Sequence, residues 1–190
     1  MAEYVSRAAL KLESVAKILD LDFTNKLVLD IGSSTGGFTQ FALEQGARQV
    51  VAVEAGTNQM HPSLRQDPRI LLLEKTDFRD LPAEALPAPV DLVLADVSFI
   101  SLRQILPYAA ALATPETQFA VMVKPQFEAA RDEKVHGIIK NEHVRRDILK
   151  DFEQWAKSRF IILNKADSAV AGEKGNRERF YLLKKVAVKH

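Results

Sequence analysis

The sequence predicts an α/β protein built on a mostly parallel β-sheet. Short apolar runs rich in branched residues alternate with stretches in which apolar residues recur at helical spacing. Strands that are apolar throughout are typical of a parallel sheet with helices on both faces. The five runs of this kind are KLVLDI (26–31), QVVAVE (49–54), RILLLE (69–74), VDLVLADV (90–97) and TQFAVMVK (117–124).

Helical patterns occupy the intervals around these strands. An N-terminal helix is expected within residues 1–22, where Ala9, Leu12 and Val15 recur at helical spacing and Ser6 is a possible N-cap. The other helices are expected at 35–46, near 58–65, at 101–113 and at about 141–158.

The end of the chain departs from this alternation. The runs RFIILNKA (159–166) and RFYLLKKVAV (179–188) are joined by a polar loop rather than a helix. Two strands joined in this way indicate an antiparallel last strand on a mostly parallel sheet of seven strands. With 190 residues and no linker or repeat, residues 1–190 are expected to form a single domain.

Composition narrows the function classes. No apolar run approaches the ~20 residues of a membrane-spanning helix, and the N-terminus lacks a signal-peptide core, so a cytoplasmic protein is expected. The chain has no cysteine, which excludes thiolate metal sites, and its histidines are scattered, so no metal is expected. Those histidines are His61, His136, His143 and His190.

A glycine-rich turn follows the first predicted strand in LVLDIGSSTGGFTQ (27–40). Ligands of doubly wound sheets bind beyond the carboxyl ends of the strands, usually after the first one. The spacing from Gly32 to Gly36 and Gly37 departs from the G-x-G-x-x-G dinucleotide fingerprint. It favours a ligand without phosphates at this loop, such as the amino-acid end of S-adenosylmethionine; an ordinary strand-to-helix turn is the alternative.

Acidic residues follow the next two strands. Glu54 ends the second strand, where a carboxylate can accept both ribose hydroxyls of a nucleoside. Asp77 and Phe78 follow the third strand, in reach of an adenine amino group and ring. Each acid taken singly could be a capped or solvated turn residue, but their joint placement favours a nucleoside site. The candidate cofactor-binding residues are Asp30, Gly32, Ser33, Gly36, Gly37, Phe38, Glu54, Asp77, Phe78 and Asp96.

Five motifs, in order along the chain, resemble a known family. YVSRAALKLE, LDIGSSTGGFTQ, ADVSFISL, VKPQFE and GNRE are together similar to the methyltransferase domain of the hemolysin A (TlyA) family, which belongs to the FtsJ-like ribosomal RNA 2′-O-ribose methyltransferases. The resemblance implies a Rossmann-like class I methyltransferase fold, S-adenosylmethionine as cofactor and ribosomal RNA as substrate. It also implies a catalytic tetrad formed by Lys11, Asp96, Lys124 and Glu178.

The chain departs from the family pattern in three places. Glu54 stands where relatives usually have Asp, and alanines replace the glycines that are common in the SRAALKL segment. Full-length members resemble an S4-type RNA-binding domain followed by this domain, whereas this chain starts almost at the YVSR motif. We therefore expect the methyltransferase domain without the N-terminal S4 domain.

The tetrad residue types suit methyl transfer to a ribose hydroxyl. Lys124 is the candidate base, which requires burial or a neighbouring positive charge to lower the pKa of its amine. Lys11 and the sulfonium could supply that charge, while Asp96 and Glu178 orient the ammonium groups. A solvated lysine at a strand end is the alternative for Lys124.

The substrate side of the sequence is less specific. Net charge is −5 over residues 1–120 and +6 over residues 121–190, so the basic C-terminal third could contact phosphates. Phe99 and Phe127 could stack on the target base or be core aromatics. The residues expected to contact RNA phosphates are Arg145, Arg146, Lys174, Arg177 and Arg179.

Three other functions remain open from the sequence. One is a catalytically weak RNA-binding or ribosome-assembly module, which the intact tetrad disfavours. A haemolysin would need an amphipathic or apolar membrane segment, and none is visible. A nicotinamide oxidoreductase fits the fold class but not the loop spacing. The sequence does not specify the methylated nucleotide, the ribosomal subunit or the oligomeric state.

Overall fold

A computed structural model describes residues 3–129, 138–139, 141–172 and 175–186. His136, His190 and Lys174 of the sequence predictions lie outside the described residues. The helices are α1 (Arg7–Ala16), α2 (Gly37–Glu44), α3 (Pro62–Arg65), α4 (Leu106–Leu112), α5 (Pro125–Glu128) and α6 (Glu142–Lys157). The strands are β1 (Leu27–Ile31), β2 (Gln49–Val53), β3 (Ile70–Leu73), β4 (Leu92–Ala95), β5 (Gln118–Val123), β6 (Phe160–Asp167) and β7 (Arg179–Lys185).

The strands form one seven-stranded sheet in the order β3-β2-β1-β4-β5-β7-β6. β1 to β5 are parallel, and β7 pairs antiparallel with both β5 and β6. The predicted antiparallel last strand is confirmed, and it lies between β5 and β6 rather than at the edge. The order reverses between β1 and β4, so the switch point of the sheet lies at the loop after β1.

Helices cover both faces of this sheet, as the sequence predicts. Because side chains alternate along a strand, Leu27 and Leu29 of β1 point to one face and Val28 to the other. The first face packs against α4 and α6, through residues such as Phe152. The second face packs against α1 and α2, through residues such as Leu12. These two apolar layers hold the sheet between the helices.

Several helices differ in extent from the sequence expectation. The N-terminal helix ends at Ala16, well before residue 22, and a turn follows it that includes Asp20, whose φ is +55°. Ser6 is the N-cap residue by position, although its side chain makes no capping hydrogen bond to the described residues. The segment expected at 101–113 is a short 3-10 turn followed by α4. Helix α5 was not expected, and it begins at Pro125, a residue suited to a first helical turn.

Candidate active site

A cavity of about 550 Å³ opens at the carboxyl ends of β1, β4 and β5. Its walls come from the start of α1, the loop after β1, the segments after β4 and β5, and the segment before β7. In parallel α/β sheets this edge, next to the switch point, is where ligands bind. The fold therefore brings five parts of the sequence around one space.

The glycines of the loop after β1 have two different roles. Gly32 lines the cavity, has a φ of +79°, and a Cβ atom there would lie 2.7 Å from the carbonyl oxygen of Asp96. Gly37 starts α2, and a Cβ atom on it would overlap the Ser6 hydroxyl and lie 2.9 Å from the Ala9 nitrogen. Gly32 thus lets the loop cross the end of β4, while Gly37 lets α1 pack closely against α2.

The other predicted residues of this loop also either line the cavity or allow close packing. Ser33 and Phe38 line the cavity with Gly32. Gly36 does not line it; its φ of +93° forms the turn into α2, and a Cβ atom there would collide with Leu64. Gly36 and Gly37 contribute to the turn and to the packing of the helices, and their part in cofactor binding stays a prediction.

Asp30 is a fully buried carboxyl group at the inner wall of the cavity. Thr39 donates a hydrogen bond of 2.6 Å from its Oγ1 to Asp30 Oδ2. Burial raises the pKa of Asp30 to about 7, against the lowering effect of Thr39, and the nearby Asp96 and Glu54 carboxylates raise it further. Among the described residues, Asp30 Oδ1 and the Ser33 hydroxyl have no hydrogen-bond partner. Buried polar atoms of this kind suit a polar ligand.

The four tetrad residues all line the cavity and form two ion pairs. Lys124 Nζ lies 2.6 Å from Asp96 Oδ1, and Lys11 Nζ lies 2.9 Å from Glu178 Oε2. The exposed fractions of these side chains range from 3% for Glu178 to 17% for Asp96. Burial raises the pKa of Glu178, although the Lys11 ammonium opposes this. Two lysines and two carboxylates thus balance in charge at the edge of the cavity.

Glu54, Asp77 and Phe78 do not line this cavity. Both oxygens of Glu54 accept backbone hydrogen bonds, from Ser34 N at 2.9 Å and from Gly56 N at 2.7 Å. Glu54 therefore tethers the loop after β1 to the end of β2. A carboxylate oxygen has more than one acceptor position, so these bonds leave room for further donors.

Asp77 and Phe78 follow β3 as expected but have local roles. Hydrogen bonds from Arg79 lower the pKa of Asp77 to about 2, and Asp77 also caps a short 3-10 turn. The ring of Phe78 is buried in the hydrophobic core. Core packing leaves Phe78 only 5% exposed, and its contact with an adenine stays a prediction.

Two positioning residues, Ser98 and Glu128, were not predicted from the sequence. Lys124 Nζ donates a hydrogen bond of 2.8 Å to Ser98 Oγ, which gives the lysine a second fixed partner. Glu128 accepts from the Ser101 hydroxyl at 2.6 Å and from Leu102 N at 2.7 Å. Glu128 therefore joins the segment after β5 to the segment after β4. Ser98 lies in the motif ADVSFISL and Glu128 in the motif VKPQFE, so these motifs were the sequence features that could have indicated the two residues.

An aromatic pair stands at the mouth of the cavity. Phe99 is 93% exposed and has a φ of +66°, which is unfavourable for a bulky residue. Its ring lies 5.2 Å from the ring of Phe127, centroid to centroid, and both residues line the cavity. Phe99 is thus a surface residue rather than a core aromatic. Backbone strain of this kind is often found at functional sites.

Comparison with known proteins identifies the family. Residues 4–185 match the family described as FtsJ-like methyltransferase. The chain belongs to that family. YqxC of Bacillus subtilis (strain 168) is 42% identical over 178 residues, which are 92% of this chain and 63% of YqxC. This chain therefore spans less than two thirds of the length of that relative.

Two further relatives and one solved structure agree with this assignment. TlyA of Campylobacter jejuni, a 23S rRNA (cytidine-2′-O)-methyltransferase by name, is 41% identical over 94% of this chain and 70% of its own length. Hemolysin A of Brachyspira hyodysenteriae is 36% identical over 93% of this chain and 75% of its own length. A solved structure from Streptococcus thermophilus is 36% identical, with a TM-score of 0.93 over 98% of this chain and 68% of that one.

The sheet order and the helices on both faces are those of a Rossmann-like class I methyltransferase, in agreement with the FtsJ-like assignment. Across the described residues, none of the helices has the length and apolar character needed to cross a membrane. Within the same ranges, no group of three or more histidine or acidic side chains is arranged to hold a metal ion.

Proposed function

We propose that this chain is the catalytic domain of an S-adenosylmethionine-dependent methyltransferase that acts on a ribose 2′-hydroxyl of ribosomal RNA. The convergence of Lys11, Asp96, Lys124 and Glu178 on one cavity beside the glycine loop carries the proposal. The names of the relatives support the substrate class, since TlyA of C. jejuni is named as a 23S rRNA (cytidine-2′-O)-methyltransferase. A ribosomal RNA substrate implies an activity in the cytoplasm.

The residues around the cavity fit S-adenosylmethionine. Asp30 and Ser33 offer buried polar atoms without partners among the described residues, as an amino-acid group would need. Gly32 leaves the loop without a side chain at the cavity wall. Glu54, at the end of β2, would receive the ribose hydroxyls at acceptor positions that its two backbone hydrogen bonds do not use. When bound, this cofactor supplies an electrophilic methyl group on a sulfonium.

Lys124 would act on the ribose hydroxyl. Asp96 and Ser98 hold its ammonium at 2.6 and 2.8 Å, which leaves one N–H direction for the 2′-oxygen. Lys124 would give one of its protons to Asp96 Oδ1 and take up the proton of the ribose hydroxyl, while the O–CH₃ bond forms and the bond between the methyl group and the sulfonium sulfur breaks. Lys124 would thus remain an ammonium and Asp96 would become a neutral acid, so the pair would take up the one positive charge that the sulfonium loses. A methyl transfer of this kind depends mainly on the alignment of the methyl donor and the acceptor oxygen, and the fixed partners of Lys124 contribute to that alignment.

Lys11 and Glu178 would orient the other side of the acceptor. Their ion pair is more buried at its acidic end, with Glu178 only 3% exposed, so it forms a fixed part of the wall. Phe99, exposed at the mouth, would stack on the target base, and Phe127 would support its ring. In this arrangement the base is held outside the wall while the ribose reaches Lys124.

Nucleoside mass spectrometry tests the proposal. The chain is incubated with unmodified ribosomal RNA and isotopically labelled S-adenosylmethionine, and the digest is searched for labelled 2′-O-methylnucleosides. Lys124→Ala should lower methyl transfer by about 10²–10⁴-fold, the usual contribution of a positioned acid–base group. Lys165→Ala is the matched control, because Lys165 also forms a 2.7 Å ion pair, with Glu153, but does not line the cavity.

The two variants separate the candidate functions. Loss of transfer in Lys124→Ala, with a cooperative thermal transition and full activity in the control, supports a catalytic role. A wild-type chain that binds RNA and the cofactor but transfers no methyl group to any ribosomal RNA would instead support the RNA-binding or ribosome-assembly module.

A further inference from the structure

A second cavity, of about 450 Å³, lies between the start of α6 and the end of β6. Four arginines and one half-buried aspartate dominate its lining, and we name it the arginine cavity: Arg145, Arg146, Asp167, Arg177 and Arg179. The sequence had indicated the four arginines as phosphate contacts only because the C-terminal third is basic. The structure brings them together from α6, from the segment before β7 and from the first residue of β7.

Two of these arginines are fixed by the aspartate. Arg145 Nη2 lies 2.8 Å from Asp167 Oδ1, and Arg179 Nε lies 2.6 Å from the same oxygen. Arg145 also donates a hydrogen bond of 2.9 Å to the backbone oxygen of Arg177. Burial tends to raise the pKa of Asp167, but hydrogen bonds from Arg179 and Arg145 outweigh it and lower the pKa to about 2. Asp167 is therefore a charged anchor for two rigid guanidinium groups.

The other two arginines face solvent. Arg177 is 56% exposed, and its Nη2 atom lies 3.8 Å from Asp167 Oδ2, which is too far for a hydrogen bond. Arg146 is exposed on α6 and contacts the neighbouring His143. Counting the single rim carboxylate of Glu142, the lining carries four positive and two negative charges. An excess of two positive charges around a cavity attracts an anion.

The arginine cavity lies on the same sheet edge as the tetrad. Arg179 pairs with Val123 of β5 on one side and with Asp167 of β6 on the other. Lys124 directly follows Val123, and Glu178 directly follows Arg177. Because neighbouring strands are about 4.8 Å apart, β6 is about 10 Å from β5 at this edge. A chain that enters the candidate active site can therefore extend across the arginine cavity.

We propose that the arginine cavity binds a backbone phosphate of the RNA substrate close to the target nucleotide. The proposal rests on the methyltransferase function proposed above, since it assigns a docking point to that substrate. Guanidinium groups match the geometry of phosphate oxygens with paired hydrogen bonds. Arg145 and Arg179 form the rigid base of the site, and Arg146 and Arg177 close on the phosphate from the solvent side.

Salt-dependent RNA binding tests this site. Fluorescence anisotropy follows a labelled single-stranded ribosomal RNA fragment at several salt concentrations, for the wild type and for Arg146→Gln/Arg177→Gln. Loss of one phosphate contact should lower the slope of log affinity against log salt by about 0.7. Between about 50 and 200 mM salt, the wild type should then lose about 2.6-fold more affinity than the variant. At low salt the variant should bind about tenfold more weakly.

The matched control is Arg48→Gln. Arg48 is also a partly exposed arginine, 3.9 Å from a single carboxylate, that of Asp91, but it precedes β2 at the opposite edge of the sheet. An unchanged slope in this control and a lower slope in the double variant support the site. Arg146→Gln alone, on the exposed face of α6, provides a second variant if the double variant does not melt cooperatively.

Three results would overturn the phosphate site. They are an unchanged slope in the double variant, an equal change in Arg48→Gln, and no RNA binding by the wild type at low salt. The methyltransferase proposal fails by a different measurement, namely the absence of labelled 2′-O-methylnucleosides. A chain that binds RNA through this cavity but transfers no methyl group would refute the proposed reaction alone.

Discussion

The buried carboxyl group of Asp30 should make stability depend on pH in a defined direction. Its pKa is about 7 in the folded chain, whereas the ordinary value is 3.8. For an acid whose pKa is raised on folding, the folded state binds the proton more tightly than the unfolded state. The contribution to stability is therefore complete below the unfolded pKa and is lost as the pH rises towards the folded pKa.

Replacement of Asp30 by Asn removes this dependence and keeps an acceptor for the Thr39 hydroxyl. A shift of about 3 pKa units corresponds to about 4 kcal/mol, of which about 3 kcal/mol is lost between about pH 5 and pH 8. Relative to the wild type, Asp30→Asn should thus gain about 3 kcal/mol of unfolding free energy over that range. Urea denaturation of both proteins at the two pH values measures the gain, because the titration of all other groups cancels in the difference.

An exposed acid is the control for this measurement. The Thr24 backbone N–H lowers the pKa of Asp22, so this carboxyl group is ionised at both pH values and Asp22→Asn should leave the difference unchanged. The reasoning about Asp30 is refuted if the unfolding free energies of Asp30→Asn and the wild type differ by the same amount at both pH values. It is also refuted if the variant loses stability relative to the wild type as the pH rises.

Three further variants address the packing, the cofactor and the substrate. Gly37→Ala should lower the unfolding free energy by about 1–3 kcal/mol in denaturation experiments, because its methyl group would collide with Ser6 and push α1, which carries Lys11, away from α2. Glu54→Ala should weaken S-adenosylmethionine binding by about 1–3 kcal/mol in calorimetry. Glu54→Asp is the control, because it keeps a carboxylate. Equal affinity in Glu54→Ala and the wild type would contradict the ribose contact. Phe99→Ala should weaken RNA binding by about 1–3 kcal/mol, while Phe99→Tyr should retain it; equal binding by the two variants would exclude stacking.

The sequence by itself determined the alternation of strands and helices and the location of the glycine loop. These features depend on local patterns, such as the apolar run of β1 and the turn after Ile31. The resemblance carried by five short motifs then indicated Lys11, Asp96, Lys124 and Glu178, and the structure places all four at one cavity. Motifs could do this because each one lies at the end of a strand or on a helix that the local pattern already predicts.

Only the tertiary structure decided which of these side chains meet. Lys11 and Glu178 are 167 positions apart in sequence and pair because β7 inserts between β5 and β6, an order that no local pattern encodes. The same insertion brings Arg179 between Val123 and Asp167 and so forms the arginine cavity. The sequence did not predict the burial of Phe78 either, because a residue after a strand can face either the site or the core. Local spacing sets the conformation of each segment, whereas strand order and packing set its neighbours.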